Sequence, residues 1–483
     1  MNFRIITYIL GWVLIIESAF LLLPFLVGLA YGEATALSFL YGALLACAVG
    51  IPLVIKKPKN TIFFVKEGFV SVALSWIMLS IFGCLPFIFS GEIPSFADAL
   101  FETVSGFTTT GSSILANVED LSHASLFWRS FTHWIGGMGV LVFLLAILPL
   151  AGGSQMHLMR AESPGPSVSK LVPKTQYTAI ILYGLYVVLT IIQFLLLLLG
   201  KMPAFDAICT TFGTAGTGGF GIKGDSIAGY SPYIQWVVGI FMVLFGVNFN
   251  VYFLILLRRF KQAFSNEELR TYIGIILAAT LFIFLNIHQN GGNIGDEIRH
   301  SFFQVSSIIT TTGYATADFN LWPAFSQTVL VLIMFIGASA GSTGGGIKVS
   351  RIMILAKRAR QEIRNFIHPK RVTKIRLEGK VLENDVIRAT SAFIITYIFI
   401  FAASVLLVSL EGHDTTTCFT SVVATMNNIG PGLSMVGPIE NFGFFTDFTK
   451  FVLIFDMLVG RLELFPILIL LSPKVWFSER KRV

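Results

Sequence analysis

The sequence predicts an all-α polytopic membrane protein in which four span/pore-helix/span repeats surround a central pore, with two extra N-terminal spans ahead of them. Three observations predict it. Of 483 residues, 54% are apolar and only 13% charged, more hydrophobic surface than a soluble core buries. Several apolar stretches, 177–199 and 391–410 among them, reach the roughly 20 residues needed to cross about 30 Å of hydrocarbon. Finally, one pattern recurs in four imperfect copies: a span, a short amphipathic stretch, a loop rich in Thr, Gly or Asn, and another span.

Taken in order, the first apolar stretch follows Arg4 and runs to about Ala30. It exceeds the roughly 7 to 15 residues of a secretory h-region and reads as a retained helix. With a second span at 34–55 it forms an N-terminal two-helix domain, 1–60. The repeats then occupy 61–165, 166–262, 263–375 (with a broken second span) and 376–483. Basic residues set the orientation. Lys56, Lys57, Lys59 and Lys66, then Arg160, Lys170 and Lys174, then Arg258, Arg259, Lys261 and Arg270, the segment 348–388, and Arg480, Lys481 and Arg482 all fall on the side of Arg4. The intervening loops carry acids such as Glu92, Asp98, Glu119, Asp120, Asp225 and Glu440. Both termini are therefore expected in the cytoplasm, beneath an acidic outer face that either concentrates cations or is simply solvated loop.

That distribution accounts for the net charge of +7 and leaves no reason to expect nucleic acid. The four cysteines form no CxxC pair, and the seven histidines include no HExxH and no pair at ligand spacing. With no nucleophile–base pair either, an enzyme is not expected.

The four repeat cores read FADALFETVSGFTTTGSS from Phe96, AFDAICTTFGTAGTGGFG from Ala204, IRHSFFQVSSIITTTGYA from Ile298 and TTTCFTSVVATMNNIGPG from Thr415. Their alignment selects Gly111, Gly219, Gly313 and Gly430. A helix of about 12 residues rises only some 18 Å, so it enters the membrane and must turn back. The non-helical backbone that follows is tolerated at that depth only around a water-filled or ion-filled path. One copy could be an ordinary polar loop; four in register imply a shared pore. Each short helix would aim its negative C-terminal end at the cavity, with Asp98 and Asp206 at the positive ends. The Thr and Gly residues can turn carbonyl oxygens inward to replace an ion's hydration shell, and glycine permits backbone angles that a Cβ forbids.

Span, pore helix, filter and span, repeated over about 66–471, resembles the Trk/Ktr/HKT superfamily. The extra N-terminal pair is similar to its Trk-type membrane subunit (TrkH-like) rather than to the shorter Ktr subunit. The supporting motifs are WIGGMGV from Trp134, GASAGSTGGGIK from Gly337, NNIGPG from Asn427 and GRLE from Gly460. The resemblance implies uptake of potassium, and rubidium, across the bacterial cytoplasmic (inner) membrane, with K+ the transported ion and no covalent cofactor. It implies a K+ selectivity filter at Thr109, Thr110, Gly111, Thr217, Gly218, Gly219, Thr311, Thr312, Gly313, Asn428, Ile429 and Gly430. It further implies a homodimer and a cytosolic nucleotide-binding regulatory ring subunit as partner. The flanks of the glycines differ from those of tetrameric K+ channels, so the equality of the ion sites does not carry over.

The span after the third core is apolar over 328–336 and then breaks at 337–346, where seven of ten residues are glycine or serine, three of the glycines in a run. Each glycine destabilises a helix by about 1 kcal/mol relative to alanine, so a flexible intramembrane loop is expected, with tight helix packing as the other reading. A phosphate-binding loop is excluded, because Ile347-Lys348 stands where Lys and Ser or Thr are needed. Arg461 lies in the final apolar span, where a charge costs at least about 2.5 kcal/mol without a partner. Carbonyls or hydroxyls of Ser342 and Thr343 are its expected partners; Asp456 and Glu463 are on its helix but not its face. By resemblance, Gly341, Ser342, Thr343, Gly344, Gly345, Gly346 and Arg461 form a gate beneath the filter. Two alternatives stay open. One is an H+- or Na+-coupled K+ symporter, for which Glu17, Asp456 and Glu463 are the candidate coupling acids. The other is the K+-binding subunit of an ATP-driven pump.

Overall fold

The computed structural model describes residues 1–58, 65–139, 175–288, 292–368 and 374–476. Lys59, Arg160, Lys170, Lys174, the last residue of WIGGMGV, Pro369 and the basic tail from Arg480 lie outside the described residues.

The chain is a helical membrane protein. Among the described residues, six helices are long and apolar enough to cross a bilayer. The first two are α1 (Phe3–Tyr31) and α2 (Ala36–Ile55), joined by a turn in which Gly32 takes a left-handed conformation. They touch through glycine: a Cβ added to Gly50 would stand 2.9 Å from the Gly11 carbonyl oxygen. Such close approach is what gives helix association its van der Waals energy in lipid, where no hydrophobic effect draws helices together. α3 (Val65–Ser90) packs on both, burying Trp76, Leu79 and Phe87.

Four short helices carry the repeat. They are α4 (Phe96–Phe107), then, beyond α5 (His123–Met138) and α6 (Thr175–Leu199), α7 (Ala204–Gly216). Downstream of α8 (Pro232–Phe245), α9 (Phe249–Leu256), α10 (Phe260–Phe264) and α11 (Glu267–Ile287) comes the third, α12 (Ile294–Ile309). After α13 (Ala324–Ile336), α14 (Val349–Ile367) and α15 (Asn384–Val408) comes the fourth, α16 (Thr415–Met426). At 12 to 16 residues none of them crosses. Each has a carboxylate at its N-terminal end, where the helix dipole is positive: Asp98, Asp206, Asp296 with Glu297, and the N-cap Asp414.

The second spans depart from expectation. Only the third was expected to break, yet α8 turns by 90° into α9 at 246–248. α17 (Asp447–Arg461) likewise stops short of α18 (Phe465–Leu471), with Glu463 and Leu464 at positive φ. The first break follows from Asn248, whose side chain accepts from the Asn250 N–H at 3.0 Å and so caps a new helix. The second corrects the placing of Glu463 on the Arg461 helix: it lies past the end and pairs with Arg351. Within the segment 348–388, Lys348 and Arg351 are buried, whereas the far half of α14, a hairpin of β1 (Arg376–Leu377) against β2 (Lys380–Val381), and Arg388 on the first turns of α15 are largely exposed.

Candidate ion pathway

All four short helices end the same way. The N–H groups of Thr110, Gly218, Thr312 and Ile429 reach back five residues, to the carbonyls of Ser105, Gly213, Ser307 and Ala424, at 2.8 to 2.9 Å. This Schellman closure requires a left-handed residue just before. Thr109, Thr217, Thr311 and Asn428 supply it, with φ of 55°, 55°, 59° and 54°. For a β-branched threonine that conformation is strained by about 1 to 3 kcal/mol, and it persists three times over in a buried site. Two residues on, Gly111, Gly219, Gly313 and Gly430 are left-handed again, with φ between 82° and 100° except for 75° at Gly219. A backbone that alternates in this way turns successive carbonyls to one side.

The twelve residues named from the sequence come together in one ring. A Cβ on Gly111 would overlap the carbonyl oxygen of Gly218, one on Gly219 that of Thr312, and one on Gly313 that of Ile429. One on Gly430 would come within 2.9 Å of the Thr110 carbonyl oxygen and close the circle. All four glycines line a single cavity of about 110 Å³ on the side where Ser112, Ser113, Asn441 and Glu440 stand. Arg129, Lys223 and Glu440 stand on its border. Arg129 is neutralised by Glu102 at 2.8 Å, both buried, and also donates to the Gly221 carbonyl at 3.2 Å. Cross-links tie one corner to the next: Asn428 Nδ2 donates to Thr110 Oγ1 at 2.9 Å, and Ser112 Oγ to the Gly430 carbonyl at 3.0 Å. His133 Nε2 accepts from Phe220 N–H at 3.2 Å, which leaves its Nδ1 to donate to the Gly106 carbonyl at 2.8 Å.

Below the ring lies the loop 337–348. Gly345 N–H donates to Thr311 Oγ1 at 2.6 Å, and a Cβ on Gly345 would overlap the Asn427 carbonyl, so two corners of the ring rest on this one glycine. The loop docks on the bend between α8 and α9: Ser339 N–H donates to the Gly246 carbonyl and Phe249 N–H to the Gly341 carbonyl, both at 3.1 Å. Thr343 is the Arg461 partner expected, through its carbonyl at 2.9 Å; Ser342 is not, its hydroxyl donating to Ser339 instead. The carbonyls of Gly136 and Gly137 at the end of α5 also accept from Arg461. Lys348, the loop's last residue, folds its ammonium back onto the Gly344 carbonyl. Sequence reading missed Lys348, Asn248 and His133; a lysine abutting an intramembrane glycine run was the available signal for the first.

Of the candidate coupling acids, Glu463 is paired with Arg351, and Asp456 accepts from Ser404 Oγ at 2.6 Å. Glu17 is buried near Gly83 of α3.

Comparison with known proteins agrees with this architecture. The family model described as "TrkH: Cation transport protein" matches residues 37–478. The chain belongs to the TrkH family. It is 40% identical over 488 residues to the Trk system potassium uptake protein TrkH of Salmonella typhimurium, covering 99% of this chain and all of that one. It is 39% identical over 485 residues to that of Escherichia coli K12, with the same coverage. The crystal structure of the potassium transporter TrkH from Vibrio parahaemolyticus superposes with a TM-score of 0.88 at 33% identity, over 99% of this chain and all of that chain. The TrkH relatives are named as transport proteins, not enzymes.

Proposed function

We propose that this TrkH-family chain takes up K+, and Rb+, across the bacterial inner membrane through the ring formed by its four repeats, with both termini cytoplasmic. The observation that carries the reading is the cyclic packing of Gly111, Gly219, Gly313 and Gly430 against one another's neighbouring carbonyls around one cavity. Such carbonyls replace the hydration shell of a permeating cation, and the C-terminal ends of α4, α7, α12 and α16 add negative potential beneath them. The names of the relatives, potassium uptake proteins, favour K+ as the ion.

In this reading the loop 337–348 blocks the path below the ring, and Arg461 both holds it and repels a passing cation. Opening falls to a cytosolic nucleotide-binding ring subunit that meets the exposed basic half of α14 and the hairpin, and the working unit is a homodimer. Two of the three candidate coupling acids are engaged, Glu463 by Arg351 and Asp456 by Ser404, which favours a gated channel; Glu17, buried near Gly83, is the acid on which a coupled symporter would rest. The test is 86Rb+ flux into liposomes holding the purified chain. Uptake driven by voltage alone and competed by K+ far better than by Na+ is expected. Uptake that requires a proton or sodium gradient would replace the channel reading with symport, and uptake indifferent to K+ over Na+ would remove the filter.

A further inference from the structure

Glu268, the second residue of α11, is 6% exposed and faces the loop beneath the ring. Its Oε1 accepts two backbone N–H groups, Ala340 at 2.7 Å and Ser350 at 3.2 Å. The first belongs to the loop and the second to the opening turn of α14. That turn has no capping side chain of its own, because its N-cap is Lys348 at φ 84°. The other oxygen, Oε2, receives Asn248 Nδ2 at 3.5 Å, from the bend between α8 and α9 on which the loop also docks. One carboxylate thus spans the two ends of the loop and the surface that supports it. Buried N–H donors that lose such an acceptor are left with the full desolvation penalty.

The same end of α11 is held from the cytoplasmic side. Glu378, at the turn of the β1–β2 hairpin, accepts the Glu267 and Glu268 N–H groups at 2.9 and 3.2 Å. Lys357 of α14 contacts Glu267 and donates to the Arg376 carbonyl of the hairpin at 2.8 Å. Glu378 therefore bonds the backbone of the residue whose side chain bonds the loop, and a displacement of the hairpin acts on Glu268 directly.

We propose that Glu268 is a positioning residue that clasps the intramembrane loop in its blocking arrangement, and that it links that arrangement to the position of the cytoplasmic hairpin. The role in flux rests on reading the loop as a gate; the clasp itself does not. A regulatory subunit that moves the hairpin would release the loop through Glu268, hydrogen-bonded to the hairpin by its backbone and to the loop by its side chain, without touching the four-repeat ring.

Amide hydrogen exchange of the full chain in lipid nanodiscs tests the clasp apart from the gate. Glu268→Ala is expected to speed exchange of peptides spanning 338–350 by about tenfold or more, the factor set by losing a charge-assisted hydrogen bond. Glu268→Gln keeps an acceptor oxygen and is expected to speed it less, which also covers the case in which the alanine variant does not fold. Glu378→Ala, although Glu378 touches no loop residue, is expected to speed the same peptides a few-fold. Loop exchange unchanged in both Glu268 variants would overturn the clasp. A Glu378→Ala effect confined to the start of α11 would overturn the link to the hairpin. Faster loop exchange with unchanged 86Rb+ flux would uphold the clasp and defeat the gate reading instead.

Discussion

The ring and the loop beneath it are both glycine-rich, non-helical backbone at membrane depth, yet they are held by different means. In the ring each glycine packs against a carbonyl of the next repeat, and a Cβ at three of the four positions would overlap that oxygen. Backbone supports backbone, and nothing gives. The loop, in contrast, adds to its backbone bonds with the α8–α9 bend a set of side-chain ties: Arg461 on one flank, Glu268 on the other and Thr311 above, with its own Lys348 closing its end. The difference teaches that permissive residues make a rigid or a releasable structure according to what surrounds them. A ring whose glycines pack directly on carbonyls keeps one arrangement, its side-chain cross-links only adding to that contact, whereas a loop that depends on side-chain latches has a state in which they are undone.

The severest way to break the comparison is to put a side chain into the ring. Gly219→Ala combines a positive φ with a Cβ that overlaps the Thr312 carbonyl, so K+ preference over Na+ is expected to fall by about tenfold or more in competition flux. Gly430→Ala, with 2.9 Å of clearance, should be the mildest of the four equivalent changes. Equal effects at all four corners would show that the ring is not the rigid body described.

Next in size is the support of the ring from its outer side. Arg129→Ala leaves Glu102 buried and without its cation, a loss of about 3 to 5 kcal/mol that thermal unfolding in detergent would record. Little change in unfolding would mean that Ser113 Oγ and Ile114 N–H, which also bond Glu102, suffice.

Latch removal should behave in the opposite way. Arg461→Ala, or deletion of 339–345, is expected to raise Rb+ flux without the regulatory subunit by about tenfold or more while K+ preference is kept. Faster flux with lost preference would make the loop part of the ring. The smallest effect should come from Thr311→Val, which removes only the hydroxyl that accepts from Gly345 N–H. That loss, about 1 kcal/mol, corresponds to a flux increase of about fivefold. An increase as large as that of Arg461→Ala would show that the latches act as one unit.

Much of this was legible in the sequence, for identifiable reasons. Spans announce themselves by length and hydropathy, and the four glycines by recurrence, since their φ of 75° to 100° admits few other residues at any copy. Arg461 stood out because a charge inside an apolar run needs a partner, and Thr343 was named as one. Glu268 did not stand out. It opens its helix beside Glu267, where acids favour the helix dipole, and its bonds to Ala340 and Ser350 join residues more than 70 positions apart. The 90° bend at 246–248 was invisible for a related reason: a single glycine and an asparagine in an apolar run read as one span, and only the docked loop gives the bend its purpose. Lys348 counted as a cytoplasmic charge because hydropathy registers the lysine and not the carbonyl onto which it folds.

The loop 337–348 lies in the third repeat, whereas the ring is shared by four. A barrier built from four equivalent pieces would have to move them together, and its opening would be steeply cooperative. On the gating proposed above, one segment would leave one side of an axis, so opening within a chain would be a single-body event set by the loop and the residues that hold it, Arg461 and Glu268 among them. Changes at those contacts would then retune how readily the path opens without altering the ring that defines what passes.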